Sequence, residues 1–401
     1  MIRRALLAGA VAAIAATALL FGGALRSGDG AKAAPTGRQL VRFGLKELQA
    51  ARTGDPSRYA RAERALRRAL AADPNDVDAL IGLASVANSR HQFRDGLTLA
   101  RRAQRVSPDT ALTYAVIGDS LVELGVYDEA FATFDRLGEL KPGVASYSRT
   151  SYALELLGQI GPAISAMQLA ADAAGGQGEP AAFAHVQLGK LQFSVGRLDA
   201  AAREFRAARS ASPGYVEALD GLARVAVARG RFDLAIRLER QAAERNPLPQ
   251  VVGALGDLYR AAGKPQLARE QYELVGAIDR LYAANGVAND LELALFNVDH
   301  GLRLPESLAR ARSAHRARPS IEADGVLAWA LARNGRCGEA LRYSKRALRL
   351  GTLDAPKFFH RGMIERCLGR DAEARRWFTR ALRLNPHFSL RWAPVARRAV
   401  A

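Results

Sequence analysis

The chain has 401 residues, 49% of them hydrophobic and 24% charged, with a formal net charge of +18. That balance excludes a disordered polyelectrolyte and leaves either two or three ordinary domains or one elongated array. The charge is uneven: Gly301 to Ala401 hold 22 Arg and Lys against 8 Asp and Glu, so this last quarter carries +14 and the first 300 residues only +4.

The chain opens MIRRALLAGAVAAIAATALLFGGALR. Arg3 and Arg4 precede 21 uncharged residues, Ala5 to Leu25, the pattern of an export signal whose positive end stays in the cytoplasm. The length lies between a long secretory signal and a short membrane span. Residues 1–35 are therefore expected to be a signal peptide or a membrane anchor with a short linker. Small residues that suit a cleavage site stand at Gly22-Gly23-Ala24 and Ala31-Lys32-Ala33. Either reading exports the rest, as a membrane-anchored extracytoplasmic domain or a secreted protein.

From residue 36 a period appears. Pro74, Pro108 and Pro142 lie 34 residues apart, and so do Pro213 and Pro247. Tyr114, Ile117, Gly118 and Leu121 fall at i, i+3, i+4 and i+7, one apolar stripe of a helix. A second stripe follows before each proline: Ala130, Phe134 and Leu137, then Ala201, Phe205 and Ala208, then Ala374, Phe378 and Ala381. Between the two helices stands a glycine suited to the left-handed turn that ends the first. It is Gly125, recurring as Gly158, Gly196, Gly230, Gly263, Gly335 and Gly369. Asp128, Asp199, Asp233 and Asp371 are expected to cap the second helices. Gly118 and Ala130 mark the close approach within a hairpin, and Phe134 fills the gap toward the next. One hairpin cannot bury its own apolar face, so stacking is obligatory.

These residues closely resemble the tetratricopeptide repeat (TPR), a helix–turn–helix unit of 34 residues. The resemblance implies an all-α fold, a helix–turn–helix array forming a right-handed superhelical solenoid, preceded here by the N-terminal signal or transmembrane helix. It runs from about Gln39 to Phe388. About ten units are expected within residues 36–401, with second helices ending near Pro74, Pro108, Pro142, Ala174, Pro213, Pro247, Ile278, Pro319, Gly351 and Pro386. The tail HFSLRWAPVARRAVA supplies a C-terminal capping helix. The pattern is degenerate between Gly276 and Arg303, and ADAAGGQGEP, Ala171 to Pro180, reads as a flexible loop.

Catalytic chemistry finds no foothold. The six histidines do not pair at metal-ligand spacing, and H-E-x-x-H, C-x-x-C and G-x-S-x-G are absent. Pro265 stands where a phosphate loop after Gly263-Lys264 would need Ser or Thr. The expectation is a non-enzymatic chain with no cofactor, no metal and no small-molecule substrate.

The resemblance implies a concave groove, lined by the first helices, that binds a peptide or helix of a partner protein. The residue after the small one on those helices is rotated about 100° from the buried stripe. This nominates Asp119, Lys190, Arg224, Asp257 and Trp329, with Arg333 one turn beyond. Ala79 and Leu83 stand where chaperone-binding members carry Lys and Asn, which disfavours that partner class. The leading expectation is a protein-interaction scaffold in the cell envelope. The alternative is binding of an anionic envelope polymer or lipid headgroups by the Arg-rich C-terminal units, through Arg310, Arg312, Arg316 and Arg318 or Arg375, Arg376, Arg380 and Arg383. An extracytoplasmic location disfavours nucleic acid. Cys337 starts a second helix and Cys367 ends the following first helix. Antiparallel neighbours bring these two points to the same end, which makes the pair candidates for a disulfide.

Overall fold

The structure, a computed structural model, describes residues 35–52 and 54–401. Among these residues it contains twenty-one helices and no strand. The predicted signal or anchor falls on residues 1–35 and lies almost wholly outside the described part. No described helix is long and apolar enough to cross a membrane.

The helices pair as ten hairpins and a cap. The first five pairs are α1 (Gly37–Arg52) with α2 (Arg58–Ala72), α3 (Val77–Ser89) with α4 (Phe93–Val106), α5 (Ala111–Glu123) with α6 (Tyr127–Leu140), α7 (Val144–Leu156) with α8 (Ile160–Ala173), and α9 (Gly178–Ser194) with α10 (Leu198–Ala211). Then come α11 (Val216–Ala228) with α12 (Phe232–Arg245), α13 (Pro249–Ala261) with α14 (Pro265–Ala284), and α15 (Asp290–His300) with α16 (Leu304–Ala317). The last are α17 (Ile321–Arg333) with α18 (Cys337–Ala347), α19 (Ala355–Cys367) with α20 (Asp371–Leu384), and the cap α21 (Ala393–Val400).

The seven helix-ending glycines all take φ between 71° and 76°, the left-handed conformation open to glycine without steric cost. Within the hairpin α5–α6, a Cβ on Gly118 would come within 2.2 Å of the Phe134 ring. The small residue is therefore what lets the phenylalanine enter the core.

Three local expectations need correction. Asp128, Asp199, Asp233 and Asp371 do not cap; they sit inside the first turn, where carboxylates complement the helix dipole. The side-chain caps fall instead before first helices, at Asp76, Ser320 and Asp354. The loop at 171–180 shrinks to four residues, 174–177, because α8 and α9 extend into it. In the degenerate region, α14 runs to Ala284 rather than ending near Ile278.

Residues 37–401 form one compact unit, and its inner wall is partly built by its own later turns. His91 Nδ1 lies 2.7 Å from the Ala288 carbonyl. Ile321 N–H donates to the Tyr127 hydroxyl at 2.7 Å. Thr352 donates to the Leu156 carbonyl, and Asn385 Nδ2 to that of Phe193 at 2.8 Å. The partners in these four contacts stand 192 to 197 residues apart, close to six repeats of about 34 residues. A regular stack returns on itself after a fixed number of units, so the contacts recur with the repeat. They form a seam of turn against turn.

Candidate binding face

Three adjoining cavities of about 330, 290 and 230 Å³ line the inner face along α5, α7, α9, α11 and α13. Glu155 and Lys190 border the first and second, and Phe193, Arg224 and Phe388 border the second and third. The structure brings four of the six nominated residues, Asp119, Lys190, Arg224 and Asp257, onto this face. Their spacing by whole repeats, two between Asp119 and Lys190 and one between each later pair, is what aligns them.

Their electrostatics differ. Asp119 accepts two hydrogen bonds from Arg149, at 2.8 and 2.6 Å. Arg224 bridges to Asp220 at 3.0 Å, and that carboxylate raises its pKa. Burial pushes the Lys190 amine below its ordinary value, and it has no ion-pair partner among the described residues. Glu155 is pushed up, first by burial and then by Asp354. Glu239 on α12 faces Asp220 from the same hairpin, and its carboxyl is raised, by burial and then by that neighbour. Burial works to raise Asp257 too, but His300, Tyr272 and Arg391 outweigh it and hold the carboxyl at about 2.

Trp329 and Arg333 are not groove residues. Trp329 is 1% exposed, stacks on His360 at 4.4 Å, and meets Trp392 edge-on at 5.7 Å. Its indole N–H donates to Asp299, as does that of Trp392. Arg333 lies over both tryptophans and donates to the Val298 carbonyl. The positional rule fails here because the end of the chain folds over this stretch of the inner face. Sequence reading missed that segment as a site element, although its aromatic content, HFSLRW, is a signal.

The segment 385–392 is irregular and lies along the inner face. Arg391 Nη2 donates to Asp257 at 2.9 Å, beside the Tyr272 hydroxyl at 2.7 Å and His300 Nε2 at 2.9 Å. Leu390 packs against the cluster of Val216, Leu219, Val251 and Leu258. His387, Phe388 and Ser389 complete the wall of the third cavity.

Of the arginines nominated for polyanions, Arg310, Arg312, Arg318 and Arg376 stand in intramolecular ion pairs. Arg380 lies over Phe358 at 4.2 Å. Cys337 and Cys367 have Cα atoms 6.2 Å apart, and their sulfurs are bonded.

Three tetratricopeptide repeat family models each match one stretch of this sequence, residues 55–91, 192–258 and 355–388. The chain is a tetratricopeptide repeat protein. No curated protein is significantly similar to it. Among solved structures, similar ones include a tetratricopeptide repeat protein from Parabacteroides merdae, at 14% identity over 62% of this chain and 97% of that one, with a TM-score of 0.43. PilW, described as a widely conserved type IV pilus biogenesis factor, is similar at 18% identity over 50% and 92%, TM-score 0.42. YrrB, described as a TPR protein with an unusual peptide-binding site, is similar at 20% identity over 47% and 95%, TM-score 0.32. At such identities and scores the likeness says nothing of what this TPR array binds.

Proposed function

We propose that the array is a non-enzymatic protein-interaction scaffold of the cell envelope, and that its inner face receives a peptide segment of a partner protein. One observation carries the reading: the face already holds an irregular peptide, the chain's own segment 385–392. It does so by the means such recognition requires. There is a charge-assisted hydrogen bond to Asp257, an apolar side chain seated in a cluster of Val, Leu and Ala from three helices, α11, α12 and α13, and aromatic side chains along the wall. Lys190, exposed on the inner face and without an ion-pair partner among the described residues, offers the next position along the same face a charge to recognise.

The envelope location is supported by Arg3, Arg4 and the uncharged run Ala5 to Leu25. The test of binding uses the synthetic peptide PHFSLRW, residues 386–392. It should bind in trans to the chain carrying Leu390→Ala and Arg391→Ala, and adding Asp257→Ala should abolish that binding. Indifference of the peptide to Asp257 counts against the inner face as a peptide receptor. For location, an extracytoplasmic reporter fused after Pro35 should be active, and activity of a cytoplasmic reporter there instead would reject the envelope assignment.

A further inference from the structure

Every pair of consecutive helices in the array packs closely, backbone against backbone, except α14 and α15. The reason is on α14 itself. It is the longest helix among the described residues, 20 residues, yet it buries only Ala268, Val275, Ile278 and Asp279. Beside that stripe, Arg269, Tyr272, Glu273, Gly276 and Arg280 fall at i, i+3, i+4, i+7 and i+11 on one helical face. Charged side chains cannot be buried against a neighbouring unit without partners, so the next hairpin stands off. A small cluster of Val252, Val275, Ile278 and Leu293 carries the joint. The gap is a cleft of about 640 Å³, within the size range of built ligand sites.

Four arginines line this cleft, Arg269, Arg280, Arg303 and Arg310, against Glu273 and Asp279. Arg310 is neutralised by Asp279 and Asp290. Arg269, Arg280 and Arg303 have no carboxylate partner among the described residues. Arg303 is also held at φ 44°, one of two non-glycine residues with positive φ among the described residues, a conformation that costs energy and concentrates at functional positions. Leu293, Phe296 and Leu302 supply an apolar floor between the charges. Arg269 and Arg280 are separated along the helix by about 16 Å, the span of roughly five extended residues.

We propose that this cleft binds an acidic peptide segment of a partner protein, with carboxylates at its ends on Arg269 and Arg280 and an apolar residue over Phe296. The inference rests on reading the array as a peptide-binding scaffold, and adds a second, chemically distinct site to it. The guanidinium forks match carboxylates in pairs. The apolar floor between them suits a peptide and is of no use to a bare phosphate polymer.

The test is fluorescence anisotropy of a labelled ten-residue peptide alternating glutamate and leucine, added to the full chain. Binding should weaken at least tenfold in Arg269→Glu with Arg280→Glu, and should weaken in Arg303→Gly, which keeps the backbone angle and removes the cation. It should be unchanged in Arg375→Glu, an exposed charge on α20. A lysine–leucine peptide should not bind, and inorganic polyphosphate should compete poorly. Equal binding by the double variant removes the cleft and leaves the scaffold reading standing. Equal loss in Arg375→Glu reduces the effect to general charge attraction and overturns the site. Tighter binding of polyphosphate than of the peptide overturns the ligand class, and failure of the unmodified chain to bind the peptide overturns the proposal.

Discussion

Glu239 shows what a single side chain costs when the repeat buries it. It is 1% exposed, its Oε2 has no hydrogen-bond partner, and Asp220 stands nearby. Burial first, and then that second carboxylate, keep its proton on above the ordinary value of 4.5. Above that pH the unfolded chain releases a proton that the folded chain retains, so folding stability falls as pH rises. The slope reaches at most about 1.4 kcal/mol per pH unit. Asp257 has the opposite sign. Held at about 2, it contributes fully above about pH 4 and loses its contribution only as pH falls further. Glu239→Gln should therefore flatten the decline in unfolding midpoint between pH 5 and pH 8, a comparison in which the buried histidines cancel. Parallel profiles for the two proteins would show that Glu239 is ionised in the fold.

At the scale of elements, the disulfide ties the start of α18 to the end of α19 with a sequence separation of 30. Closing a loop of that length restricts the unfolded chain and stabilises these units by roughly 3–4 kcal/mol. Stability in a linear stack is local, so the effect belongs to the C-terminal units. The three tryptophans, Trp329, Trp377 and Trp392, all lie there, and their fluorescence reports that region alone. A reductant should lower the fluorescence-monitored unfolding midpoint of the native chain and leave Cys337→Ser with Cys367→Ser unchanged. A native chain indifferent to reductant, or free thiols found by mass spectrometry, would rule the bond out. The same scale explains the capping error. Asp128 is three residues after a glycine in sequence, but the helix begins at Tyr127, because the turn after a left-handed glycine is one residue shorter than the spacing suggested.

At the scale of the molecule, the seam distinguishes glycines that look identical in sequence. A Cβ on Gly125 would stand 2.5 Å from the Pro319 carbonyl oxygen, and one on Gly158 would stand 2.5 Å from that of Gly351. A Cβ on Gly335, at nearly the same φ, meets nothing within 4 Å. Gly335→Ala should cost only the left-handed penalty of about 1–2 kcal/mol. Gly125→Ala pays that and must also push the seam apart, so its thermal midpoint should fall further, with faster amide exchange at Ile321 as its bond to Tyr127 loosens. Equal losses for the two alanines would mean that the turns do not bear on each other.

The repeat was legible in the sequence because its determinants are local. The 34-residue spacing of Pro74, Pro108 and Pro142, the glycines that take positive φ, and the small residue under Phe134 each act within one or two hairpins. Those local rules placed Asp119, Lys190, Arg224 and Asp257 on one face. Tertiary structure alone decided the rest. Trp329 obeys the same positional rule, yet segment 385–392 and the cap fold over it, more than fifty residues further along the chain. The seam depends on how small rotations add over nearly six units, a sum that no single repeat contains. The cleft beside α14 shows both at once: its charged stripe can be read in the sequence, but that the neighbouring hairpin stands away from it, and which arginines are left unpaired, follows only from where the rest of the stack puts its carboxylates.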